Sequence, residues 1–324
     1  ATWQTHNLTV SPNGTDKIGG TNADVVLDTK GQSVTFIFVD STQGWVNTMD
    51  STSNVRASEF IQATGGTISC SGNCRIHTFT GPGTFTVCAT AACAANNIVS
   101  HLIVAGGGAG GNSIPGNNAA GGGGGGFREV KNPVTPYTAS PLDGYSTPAN
   151  RVTVTAQAYP IEVGGGGPSP SNEADKGVNG VNSSFGGITA AGGGGAGSNA
   201  NRPGSPGGSG GGGSGGAFCQ AGGTGNTPPV SPAQGTNGGN SSPSGAPPDG
   251  GAGGGGGATE AGITGADVTS GRGGTGATTS INGSPTAFSG GGGGGATCGG
   301  GAASPCGTGG AGSSGTAATA GTTN

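Results

Sequence analysis

The chain has 324 residues, 81 of them glycine, and only 7% carry charge, for a formal net charge of −4. So little charge excludes the basic stripes that neutralise nucleic-acid phosphate, and no apolar run approaches the ~20 residues of a membrane-spanning helix. Ten glycines precede His101 and 71 follow it, so a glycine-poor first part gives way to a glycine-rich remainder. In the first part, Pro12-Asn13-Gly14 reads as a turn, 24–28 as a short strand and Val34–Asp40 as a longer one. Within VTFIFVD, Val34, Phe36 and Phe38 take one face and Ile37 and Val39 the other. Apolar residues on both faces predict a covered strand, read here as an intersubunit face, and Gly44-Trp45-Val46 closes a module over residues 1–54. Residues 55–105 read as a second β unit, with strands at 55–62, 67–70, 74–80, 84–87 and 98–105. Beyond residue 105 only 151–156 and 159–163 read as extended.

Glycine in the remainder comes in blocks, at 121–126, 164–167, 192–195, 210–213, 253–257 and 290–295. Collagen requires strict Gly-X-Y spacing and is excluded. Disorder is the default for such composition, but disordered chains usually carry high net charge, and here isolated residues such as Phe127, Phe185, Ile188, Phe218 and Phe288 interrupt the blocks. Glycine loses more backbone freedom on folding than any other residue, so ordered blocks need a partner for every peptide group. A polyproline-II-type helix makes no internal hydrogen bonds and rises ~3.1 Å per residue, so its peptide groups are free to bond neighbours laterally. The expected fold is therefore an all-β amino-terminal part followed, over 106–324, by a bundle of polyglycine-II/polyproline-II-type helices, with almost no α-helix.

The run IHTFTGPGTFTV (76–87) followed by HLIVAGGGAGG (101–111) resembles the glycine-rich domain of bacteriophage tail fibres and adhesins. YPIEVGGGG (159–167) and SSFGGITAAGGGG (183–195) are similar to that family's strand-then-glycine and Phe-Gly-x-Ile elements. The opening NLTVSPNGTDKIGG resembles small β modules of virion fibre proteins. The resemblance covers residues 1–195, and beyond Ala196 only composition is shared. It implies a polyglycine-II bundle whose loops contact a host surface. The expected protein is a phage fibre or fibre-tip component, made in the cytoplasm, carried on the virion and extracellular after release. It would bind a bacterial surface receptor, glycan or outer-membrane protein, without catalysis. Its β modules would join other virion proteins or form a homo-oligomer such as a trimer. A purely structural decoration or filament subunit is the alternative. No domain that would attach to a long fibre matches the family pattern.

The chemistry-bearing inventory is short. GxGxxG matches arise by chance at this glycine content, and no Gly-Lys dipeptide exists to build a Walker A loop. His6, His77 and His101 all lie in the β part, where His77 and His101 read as structural strand residues, and the scattered acids nominate no glycosidase pair. No cofactor and no metal are expected. Cys70/Cys74 and Cys88/Cys93 bracket short turns and read as disulfides, with a four-cysteine zinc site as the alternative. Cys298 and Cys306 form a third candidate pair, leaving Cys219 single. Asn-x-Ser/Thr sites at Asn7, Asn13, Asn182, Asn240 and Asn282 matter only in a eukaryotic secretory setting. Recognition is expected in two Pro/Ser/Asn-rich inserts, 132–150 and 224–250, stiffened by proline, with solvated connectors as the alternative. Tyr137 and Tyr145 offer amphipathic rings, and Asn132, Asn150, Asn226 and Asp249 are further contact candidates.

Overall fold

The computed structural model describes residues 3, 5–50, 60–91, 93–112, 118–172, 175–198, 203–216, 219–242, 250–296, 300–307 and 309–312. They fall into two compact units, Ala1–Ala57 and Ser58–Asn324. Among the described residues there is no α-helix, only two short 3-10 turns at Ala94–Asn97 and Pro148–Asn150.

In the first unit, β1 (Leu8–Val10) pairs antiparallel with β2 (Val25–Leu27), and β3 (Val34–Asp40) with β4 (Gly44–Asp50). The expected closure at Gly44–Val46 is instead the start of β4. Asp40 makes the turn, its carboxylate accepting from the N–H groups of Thr42 (2.8 Å) and Gln43 (2.6 Å). Gly44 must be glycine: its φ is +69°, and a Cβ there would fall 2.0 Å from the Lys17 carbonyl oxygen. Ile18 and Leu27 are the buried apolar side chains described in this unit. Ile37, Phe38, Val39 and Trp45 stay 39–57% exposed, with Phe38 and Trp45 in edge-to-face contact at 5.6 Å. Both faces of β3 thus carry apolar side chains left exposed by the described residues of this unit.

The second unit contains β5 (Gln62–Thr64), β6 (Thr67–Ser71), β7 (Cys74–Thr78), β8 (Gly83–Ala89), β9 (Ile98–Val99), β10 (His101–Val104), β11 (Phe127–Val130), β12 (Val152–Thr153), β13 (Ala158–Glu162), β14 (Ser183–Phe185), β15 (Ile188–Ala190), β16 (Ala277–Thr279) and β17 (Thr286–Phe288). Its main sheet is antiparallel with order β15-β14-β13-β8-β5. This sheet takes strands from both sides of residue 105, so 55–105 and 106–324 are not separate domains. Alternation along β8 buries Phe85 and Val87 and leaves Cys88 outside. Phe85 and Val87 join Ala63, Val152 and Val154 in the core, and Phe185 packs edge-on against Phe85 at 5.9 Å. The expected strand 98–105 is broken at Ser100, whose hydroxyl accepts from Asn132 N (2.9 Å) and bonds Thr135 Oγ1 (2.9 Å). β9 then pairs with β12, and β10 with β11.

Most of the remaining backbone bonds join glycine-rich segments to one another. Segment 121–126 is the centre of this arrangement. Gly121 and Gly124, three residues apart, donate to Gly253 O (3.2 Å) and Gly256 O (2.9 Å). Gly123 and Gly126 donate to Gly194 O (2.9 Å) and Ala191 O (2.7 Å). Its carbonyls accept from Gly212 and Ser209, from Gly108 and Ala105, and from Gly292. Each neighbour is therefore met at every third residue. The neighbours also bond each other in turn: 105–109 with 193–196, 194–197 with 209–212, 210–213 with 253–256, and 255 with 292. No glycine of the six blocks has a left-handed φ, so space and not conformation demands glycine here. A Cβ on Gly106, Gly125 or Gly255 would fall 1.9–2.0 Å from a neighbouring carbonyl oxygen. The core of this region is peptide backbone.

Candidate functional site

β11 continues directly out of segment 121–126, so the loop that follows it starts from the glycine core. Glu129, 2% exposed, anchors that loop by accepting from Ser140 N (2.8 Å) and Thr279 Oγ1 (2.5 Å). Asp143 accepts from the N–H groups of Lys131 and Tyr145, both at 3.0 Å. Buried polar groups are satisfied in this way or cost ~1–3 kcal/mol each.

Asn132 and Asn150 do not face a partner. Asn132 is 3% exposed and donates through Nδ2 to Ala95 O (3.0 Å) and Ile98 O (2.7 Å). Asn150, 7% exposed, accepts from Arg128 (2.6 Å) and donates to Gly144 O (3.3 Å) and Ser231 O (2.8 Å). The last of these bonds brings the two inserts together. A third loop joins them: Thr138 N donates to Ser280 Oγ (3.0 Å), and Ser280 N returns a bond to Thr138 O (3.0 Å). Asn226, at φ +49°, pins its own loop by accepting from Val230 N (3.1 Å) and Gln234 N (3.2 Å). Fully buried Gln234 ties that loop to the core, accepting from Ala191 N (2.8 Å) and donating to Pro228 O (2.8 Å). Asp249 lies outside the described residues.

The outward side of this cluster carries the tyrosines. Arg151 stacks over the Tyr145 ring, 4.3 Å from its centroid, and Nε donates to Tyr145 O (2.8 Å). Lys131 sits 5.9 Å from the Tyr137 ring centroid. Burial, then the charges of Glu129 and Asp143, push the Tyr137 phenol pKa up, so it stays a neutral hydrogen-bond donor. Val134, in the same loop, is 63% exposed. Chemically this is a proline-stiffened surface of half-buried rings and stacked cations, suited to flat or saccharide-like partners.

His101 lies beneath, 7% exposed, with no hydrogen-bond partner for Nε2. Burial lowers its pKa to about 4, a shift that Arg128 reinforces. His77 is a structural residue, Nδ1 lying 2.8 Å from Gly65 O.

The described cysteines are free thiols. In the β6–β7 register Cys70 faces Arg75 while Cys74 faces Ser71, which puts the two sulfurs on opposite faces of the hairpin. Cys88 points out of the main sheet, and Cys93 and Cys219 are exposed. Cys306 is half-buried, its thiol donating to Gly276 O (3.5 Å), and Cys298 lies outside the described residues. No cluster of three or more His, Cys, Asp or Glu that could hold a metal occurs among the described residues.

The family model described as a glycine-rich domain matches residues 78–321. The chain belongs to that family. No curated protein and no solved structure matches it. The glycine-rich domain thus reaches well beyond Ala196 and takes in the last strands of the supposed 55–105 unit, while residues 1–77 lie outside it. Within the domain, sequence reasoning missed four working residues. Asn182 and Asn179 accept from Gly192 N (2.9 Å) and Gly195 N (2.8 Å). Asn240 and Asn237 do the same for Gly222 N (2.9 Å) and Gly225 N (2.8 Å). Each pair is spaced by three, the period of the segments it serves. The visible signal was the repeated NGxN, NGVN at 179–182 and NGGN at 237–240.

Proposed function

We propose that this glycine-rich domain protein is a fibre or fibre-tip component of a bacterial virus that binds a bacterial surface receptor without catalysis. In this reading the glycine segments are polyglycine-II helices. They form a stiff core carried on the virion and exposed outside the cell, and the loops gathered around Tyr137 and Tyr145 make the contact. The three-residue period of the inter-segment bonds supports the helix type. The observation that carries the binding role is the convergence of the 131–150, 224–234 and 279–284 loops, joined through Asn150 and Thr138 and each fixed by a buried side-chain bond, to Glu129 or Gln234. Loops fixed in advance lose less entropy on binding, and weak contacts repeated over one particle add through avidity. Purified, fluorescently labelled protein is expected to bind a few strains of a bacterial panel saturably. The paired change Tyr145→Ala and Arg151→Ala should abolish this binding without lowering the melting temperature by more than a few degrees. Binding to no strain, or binding indifferent to those changes, defeats the proposal.

A purely structural virion or filament subunit is favoured by one feature, the apolar residues Ile37, Phe38, Val39 and Trp45 exposed on β3 and β4. That reading predicts self-association through the first unit, lost on Phe38→Ser, and no cell binding.

A further inference from the structure

Among the described residues, the bonds around segment 121–126 leave one place without a partner. Its neighbours follow one another as 105–108, 191–194, 209–212, 253–256 and 289–292, each bonded to the next, and the ring is open between 289–292 and 105–108. Around the ring the central segment alternately accepts from and donates to its neighbours. It accepts from 105–108, donates to 191–194, accepts from 209–212, donates to 253–256 and accepts from 289–292. At the open place the central segment is next in line to donate, so an acceptor is called for: the N–H groups of Gly122 and Gly125, three residues apart, have no acceptor among the described residues. The glycines flanking the gap are the anomalous ones. At Gly107, Gly110 and Gly292 a Cβ would come no closer than 3.4–3.6 Å to any atom, and none of these residues has a left-handed φ. Nothing among the described residues requires them to be glycine; a segment seated in the gap would.

We infer that this gap receives a glycine segment from a second copy of the chain. The occupant must lack side chains over at least four residues, to reach both Gly122 and Gly125, and must be exposed on its own molecule. Of the six glycine blocks, 164–167 is the one with solvent-exposed glycines, Gly165 and Gly166. The carbonyls of Gly164, Gly166 and Gly167 receive no hydrogen bond among the described residues, as acceptors for Gly122 and Gly125 must, and a Cβ on Gly165 would meet nothing within 4 Å. The contact is the helical counterpart of adding a strand to a sheet edge, in which main-chain bonds give affinity. It rests on the polyglycine-II reading of the core and is independent of receptor binding.

Sedimentation of the full chain, up to about 1 mM because so small an interface is weak, tests this. Wild type should self-associate. The gap-blocked variant Gly107→Ala/Gly110→Ala/Gly292→Ala and the row-blocked variant Gly165→Val should each associate at least tenfold more weakly, with unchanged melting temperature. An equal mixture of the two should regain association, since one offers an intact row and the other an intact gap. A wild type that stays monomeric, or association that survives both sets of changes, overturns the inference. Gly255→Ala, whose Cβ would meet Gly122 O at 2.0 Å, separates the two levels. If it leaves the fold unharmed, the close-packed core itself is wrong; if it unfolds the chain while wild type is monomeric, only the second copy is wrong.

Discussion

His101 is the residue whose environment makes the clearest solution prediction. Its imidazole takes a proton near pH 6.5 when unfolded and near 4 when folded, because burial disfavours the charged form. Between those values the unfolded chain binds more protons, so stability falls as the pH drops from 6.5 towards 4, by about 3 kcal/mol in full. Above pH 6.5 this group gives no slope. Melting curves for wild type and His101→Gln should therefore diverge in pH dependence only below 6.5, and parallel curves would remove His101 from the account. A histidine in a strand was legible from the sequence as structural, but its missing partner was not, because that depends on Phe185 and Arg128 arriving from distant segments. Asn132 and Asn150 teach the same lesson in reverse: polar residues at the ends of a polar insert look exposed, and they are the buried pins that hold it.

At the scale of single elements, the asparagine pairs act as edge caps for glycine segments. Replacing Asn182 by Ala leaves the buried Gly192 N–H without its acceptor and should cost about 1–3 kcal/mol. Asp, which keeps an acceptor oxygen, should cost less. Amide exchange at Gly192 should quicken in the Ala variant while exchange at Val87, in the main sheet, changes only with global stability. Equal acceleration at both sites would mean that the cap has no local role. Strands such as Val34–Asp40 were readable because five aliphatic or aromatic side chains in seven residues declare themselves. β11, β14, β15, β16 and β17 have three or four residues each, bordered by glycine or a turn, too few for a period to show. Their pairing is decided by the glycine segments they interrupt.

For the molecule as a whole, the backbone core has a calorimetric signature. Heat-capacity change on unfolding rises with exposed apolar area and falls with exposed polar area, near 12–15 cal/mol/K per residue for ordinary proteins. A core built from peptide groups should give a clearly smaller value per residue, read by scanning calorimetry across a pH series; an ordinary value would mean that apolar side chains dominate after all. With 7% charged residues and one described ion pair, Arg272–Glu260 at 2.7 Å with both side chains over a third exposed, the melting temperature should also move little with salt. Glycine content made an unusual core legible from the sequence alone. Which segments are neighbours was not legible, since one glycine block looks like another.

That sameness bears on how the chain finds its place. A block of identical residues that meets each neighbour at every third position would remake equivalent bonds after sliding by three residues, so glycine alone cannot stop it at the correct notch. The stops are the odd residues: Phe127 filling its apolar socket, Gln234 bridging Pro228 and Ala191, and the paired asparagines. Shortening a block by three glycines should then be absorbed as one lost repeat of bonds. Removing a single glycine would put everything after it out of that three-residue register, bringing side chains against carbonyls that have no room for them.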